Sequence, residues 1–164
     1  MKRKRLTHTG AKGEARMVDV SSKPDTERVA VAAGHIRMEP ETLEAISRNS
    51  LAKGDVVTVA KTAGIMAAKA TATLIPLCHP LPLSEIKVVL TEDRKLPGLR
   101  CEATVRTTGK TGVEMEAITA VAVTLITVYD MAKAVDKTMQ INDICLMEKA
   151  GGRSGHWRRI GRKT

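Results

Sequence analysis

Tyr129-Asp130-Met131-Ala132-Lys133 places a carboxylate three residues before an amine. On a helix, side chains three apart share a face and touch. Spacing alone leaves two readings open. One is a solvated ion pair worth roughly 0–1 kcal/mol. The other is an acid/base pair whose carboxylate orients and charges the amine. A second group lies in LIPLCHPLPL, residues 74–83, where Cys78 and His79 stand among Pro76, Pro80 and Pro82. Neighbours in an extended segment point to opposite sides, so these two side chains do not converge as metal ligands or as thiol and base. Zinc takes about four ligands, usually as spaced pairs; Cys101 and Cys145 fall in separate predicted strands, and there is no C-x-x-C. Neither a metal nor a cofactor is expected. What is left is a proline-stiffened loop that presents His79, with Cys78 packed as a small apolar wall; a lone histidine of this kind is more often structural than catalytic.

Glu114 and Glu116 are two apart and do not face one another. Glu116 and Asp130 are fourteen apart, about 40° out of line on a helix and about 21 Å apart along its axis. A single site using both needs a long ligand or a second subunit. Lys53, Lys69, Lys133 and Lys149 stand at element ends or beside these motifs. Singly they are solvated charges; together they can hold a polyphosphate. TVRTTGKT, residues 104–111, ends like a phosphate loop but has Thr104 where the first glycine of G-x-x-x-x-G-K-[ST] belongs. Only a weaker idea survives there: Gly109 to Gly112 opens a helix whose free amides attract anions.

These residues need a frame. Residues 1–26 are polar and read as an N-terminal arm. Residues 27–38 alternate like a strand. Glu39-Pro40-Glu41 starts a helix that carries Leu43 and Ile46 and stops near Asn49-Ser50. Asp55 caps a second helix to about Ala72, which Gly64 weakens. Residues 85–91 and 99–107 form a hairpin about Pro97-Gly98. Ile118, Val121, Ala122, Leu125, Val128 and Tyr129 recur at helical spacing, predicting a long helix over 112–137. A last strand spans about 139–148, and 151–164 is a glycine-rich basic tail. Leaving aside the extra helix, the order β-α-β-β-α-β over 27–150 predicts an α+β, ferredoxin-like antiparallel sheet with helices on one face.

The chain has 164 residues, one Trp, one Tyr and no Phe. Its core must be aliphatic, and some burial is expected between subunits. The net charge of +9 belongs to the ends: residues 1–5 and 149–164 hold ten of the 27 Lys/Arg and no acid, leaving 17 cations against 18 acids between them. Basic ends of this kind are more often solubilising than specific readers of nucleic acid. An odd number of cysteines argues against a disulfide framework. There is no apolar signal core, and the longest apolar stretch, 117–129, is short of the roughly 20 residues of a membrane span. The expectation is a soluble, cytoplasmic protein.

Taken together, L-I-P-L-C-H-P-L (74–81), T-G-K-T-G-V-E-M-E-A (108–117), Y-D-M-A-K-A-V (129–135) and G-G-R-S-G (151–155) resemble the cyclic pyranopterin monophosphate synthase, or MoaC, family of molybdenum-cofactor biosynthesis. G-E-A-R-M-V-D-V (13–20) and K-G-D-V (53–56) fit too, and the resemblance spans roughly residues 6–157. It implies a ferredoxin-like subunit in a homohexamer, a trimer of dimers, with its active site between subunits. The implied substrate is a cyclic dihydro-GTP, 3′,8-cyclo-7,8-dihydroguanosine triphosphate; the products are cyclic pyranopterin monophosphate and diphosphate. By motif match, Asp130 and Lys133 are catalytic, Leu77, Cys78, His79, Met115 and Glu116 line the substrate, and Lys53, Lys69 and Lys149 engage phosphates or assist the chemistry. Ala132 stands where the family commonly has Cys, and Thr71-Ala72-Thr73 where it has a larger residue. The alternative reading is a non-enzymatic RNA-binding module using its basic tails.

Overall fold

The computed structural model describes residues 15–153 and 155–160. The MKRKR start, the first part of the expected arm, Ser154 and residues 161–164 lie outside the described residues. Strand β1 (Thr26–Arg37) is followed by α1 (Pro40–Ser47), α2 (Val56–Lys69), α3 (Thr71–Leu74), β2 (Leu83–Asp93), β3 (Gly98–Gly109), α4 (Glu114–Ala132), β4 (Gln140–Ala150) and β5 (Trp157–Arg158). The sheet order is β2-β3-β1-β4-β5, antiparallel throughout. This is the ferredoxin-like α+β arrangement read from the pattern, with one short strand added at the β4 edge.

Period-2 alternation explains the sheet. Ala30, Ala32 and Ile36 of β1 and Leu99, Cys101, Ala103 and Val105 of β3 are buried on the helix side, while Arg100 and Glu102 point away. Helix α4 covers this face with Ala117, Ala120, Val121, Leu125 and Val128. At 19 residues it is the one described helix long and apolar enough to cross a membrane, but its apolar stripe is packed against the sheet and α2. The β2–β3 turn is held by Asp93, whose carboxylate accepts from the amides of Lys95 and Leu96.

Helix α2 begins where the sequence places it: Asp55 accepts from the Thr58 amide at 2.9 Å. It runs antiparallel to α4, so its first turn lies by Asp130 and Gly64 lies against Ala120 and Thr124. The helix expected to reach Ala72 breaks at Ala70, and the next turn is separate, anchored by the buried Thr71 hydroxyl on the Ala67 carbonyl.

Two expectations need correction. The helix expected over 112–137 ends at Ala132. The cause is Asp136, buried, whose carboxylate accepts from the Glu39 amide at 2.9 Å and from the Thr138 amide and hydroxyl, each at 2.7 Å. This pulls the chain out of helix and onto the start of α1. Strand β5 was not expected at all; it pairs Glu148 with Arg158 and Lys149 with Trp157.

Candidate functional site

Two clusters form at opposite ends of α4. At its C-terminal end, Asp130 Oδ1 meets Lys133 Nζ at 2.7 Å. Lys53, from the loop before α2, brings its Nζ to 2.9 Å from Asp130 Oδ2 and donates to the Asp130 carbonyl at 2.8 Å. One carboxylate therefore serves two ammonium groups, all three exposed. The spacing argument anticipates the Asp130–Lys133 contact; that Lys53 joins it follows only from packing of α2 on α4. Hydrogen bonds from Lys133 and then Lys53 hold the Asp130 carboxyl down at about 2. The same bond to Asp130 pushes the Lys133 amine above its ordinary range. Each charge thus favours the other, Asp130 as a carboxylate and Lys133 as an ammonium.

At the other end of α4 lies a cleft of about 700 Å³. Leu77, Cys78 and His79 of the proline loop form one wall; Thr111, Gly112, Met115 and Glu116 form another. Glu116 is buried. Burial, with a smaller push from Glu114, raises its carboxyl above the usual carboxylate range. Burial and the nearby Glu116 likewise raise the Cys78 thiol above its ordinary value. Lys149 is half-buried and joined to Glu114 at 2.8 Å. Lys69 is exposed in the last turn of α2 and takes part in neither cluster's ion pairs among the described residues. No group of three or more His, Cys, Asp or Glu able to hold a metal occurs among the described residues.

The cleft also contains residues that motif reading did not assign. Val18, Val20 and Lys23 line it, and His79 Nε2 donates to the Val18 carbonyl at 2.8 Å. The signal was present as apolar Val18 and Val20 alternating with Asp19 inside an otherwise polar arm. Arg28 Nε donates to the Gly109 carbonyl at 2.9 Å and Nη2 to that of Lys110 at 3.1 Å, fixing the turn between β3 and α4. That turn leaves an antiparallel strand, so it does not form a phosphate loop.

Glu116 gives a test of strain at the cleft. Its folded carboxyl titrates above its unfolded value, so stability falls as pH rises through that window. Glu116→Gln should raise the stability of the ligand-free protein at pH 7, read as a higher Tm. Thermal scans of the two proteins should converge on acidification below the ordinary carboxylate range. An unchanged or lower Tm at pH 7 contradicts the assignment.

The fold is thus an α+β, ferredoxin-like sheet with a buried carboxyl in a cleft at one end of α4 and a two-lysine, one-aspartate cluster at the other. The chain belongs to the MoaC family, whose model matches residues 17–152. It is 59% identical over 154 residues to a cyclic pyranopterin monophosphate synthase of Thermomicrobium roseum, covering 94% of this chain and 93% of that one. It is 59% identical over 152 residues to the synthase of Dinoroseobacter shibae, covering 93% and 96%. With the synthase of Brucella ovis it shares 58% over 153 residues, covering 93% of each.

Proposed function

We propose that this chain is a cyclic pyranopterin monophosphate synthase, converting 3′,8-cyclo-7,8-dihydroguanosine triphosphate to cyclic pyranopterin monophosphate and diphosphate in molybdenum-cofactor biosynthesis. The observation that carries it is the near end-to-end match to synthases of that name. The reaction opens and recloses a purine-derived ring, which needs proton transfers, and closes a cyclic phosphate while expelling diphosphate, which needs cations. Lys133 transfers the proton, Asp130 orients it, and Lys53 keeps the carboxylate neutralised when Lys133 is discharged. Leu77, Cys78, His79, Met115 and Glu116 hold the substrate's ring system; Lys149 and Lys69 engage phosphates. Residues 27–150 are the catalytic domain, and part of the preceding arm completes its cleft.

The two clusters sit about 21 Å apart along one rigid helix. We take the site to be completed across a subunit interface in a homohexamer, a trimer of dimers, so that the cleft of one copy meets the lysine–aspartate cluster of another. The reading carries with it a cytoplasmic location, consistent with three unpaired cysteines. The RNA-binding alternative finds no support in the relatives. The open face of the sheet is lined by Ala33, His35, Val89, Thr91, Cys145 and Met147, without the Phe, Tyr or Trp on which such modules stack bases. Incubating the chain with the cyclic triphosphate should release diphosphate and the pterin in equal amounts. Absence of both from a folded, pure preparation contradicts the proposal.

A further inference from the structure

Residues 18–23 lie along the cleft as a strap, and local chemistry explains its path. Val18 and Val20 are half-buried against the cleft, with Asp19 exposed between them. Asp19 Oδ1 accepts from the Ser21 amide at 2.8 Å and from its hydroxyl at 2.6 Å, and the Lys23 amide donates to the Val20 carbonyl at 3.0 Å. This Asx turn reverses the chain and brings Lys23 back onto the cleft wall. Two bonds pin the strap to separate parts of the fold. His79 donates to the Val18 carbonyl at 2.8 Å, and Lys110 Nζ donates to the Ser21 carbonyl at 2.8 Å.

The charge inventory sets Lys23 apart. Lys149 is joined to Glu114, and Lys53 and Lys133 share Asp130. Lys23 lines the cleft, is half-buried, and has no carboxylate partner among the described residues. A half-buried ammonium lining an open cleft, with no carboxylate partner among the described residues, is completed by an anionic ligand. We propose that Lys23 is a substrate-binding residue that contacts a phosphate oxygen in the cleft, and that the strap, latched by His79 on Val18, is what positions it. This rests on the proposed function for the identity of the ligand, a nucleoside-derived polyphosphate.

Inorganic tripolyphosphate is the probe, titrated calorimetrically into the full chain. Lys23→Ala should weaken its binding about tenfold, and Lys23→Arg should retain it within about twofold. In turnover, Lys23→Ala should raise KM for the cyclic triphosphate by a similar factor with kcat kept within about twofold. Equal tripolyphosphate affinity in wild type and Lys23→Ala, or no binding by wild type, overturns the assignment of Lys23. A loss confined to kcat overturns it too. If Lys23→Ala weakens tripolyphosphate binding but wild type does not turn over the cyclic triphosphate, the proposed function fails and the assignment of Lys23 stands.

Discussion

Lys133→Ala should form product at least about 10³-fold more slowly than wild type, because it removes the group proposed to transfer the proton. Its stability changes little. Lys133 is exposed at the C-cap of α4, where its amide still donates to Tyr129 and no buried contact is lost. Lys137→Ala, an exposed lysine four residues on, is the control and keeps full activity. The pH dependence follows from the pair. The Asp130 carboxyl, held down at about 2, is ionised through the neutral range, and the Lys133 amine, raised by that carboxylate, is protonated there. The pair stays fully charged, so neither member produces an acid limb near pH 4–7. Asp130→Asn removes the partner that raises Lys133, so the alkaline limb of the rate profile should move to lower pH. Rates measured across pH for wild type, Lys133→Ala, Lys137→Ala and Asp130→Asn check this; a Lys133→Ala enzyme within tenfold of wild type contradicts the role.

Gly64→Ala should destabilise the protein by about 2 kcal/mol or more, roughly 4–8 °C in Tm. Two effects of opposite sign compete. Helix propensity favours Ala over Gly by about 1 kcal/mol. Packing opposes it: a methyl at position 64 overlaps Thr124 Oγ1 and stands 2.9 Å from the Ala120 carbonyl. Thr124 cannot turn away cheaply, since it is buried, β-branched and bonded to that same carbonyl at 2.7 Å. Ala60, Ala67 and Ala68 keep the rest of the buried α2 face small, and at Gly64 the backbone of α2 lies directly against Ala120 and Thr124 of α4. Spreading them also moves Lys53 away from Asp130, so kcat should fall with stability. Denaturant unfolding decides the sign. A more stable Gly64→Ala protein means that α2 and α4 do not pack this closely.

What was legible in the sequence was local. The alternation of β1, the Pro97-Gly98 turn, the Asp55 cap and the apolar stripe of α4 each come from neighbouring residues, and together they yield the sheet and its covering helices. The misses are long-range. The end of α4 depends on Asp136 bonding the Glu39 amide 97 residues away. Gly64, which reads as a propensity cost, is a packing requirement imposed by Thr124. Lys53 reaches Asp130 across 77 residues, and no periodicity links them. Strand β5 is two residues long, secured by the Arg159 amide on the Met147 carbonyl at 2.7 Å, too little pattern to read in advance. Lys23 lay in an arm whose polarity concealed two cleft-facing valines.

The central claim is that the cleft around Glu116 and the cluster around Asp130 are halves of one site supplied by different copies of the chain. Co-expression of Glu116→Ala and Lys133→Ala chains, with a different tag on each and purification through both, tests it directly. Each variant alone should be inactive. In mixed assemblies about a quarter of the sites combine an intact cleft with an intact lysine cluster, so diphosphate release should return to about that fraction of the wild-type rate. Mixed assemblies as inactive as the separate variants would contradict a shared site and place both halves of the chemistry within a single chain.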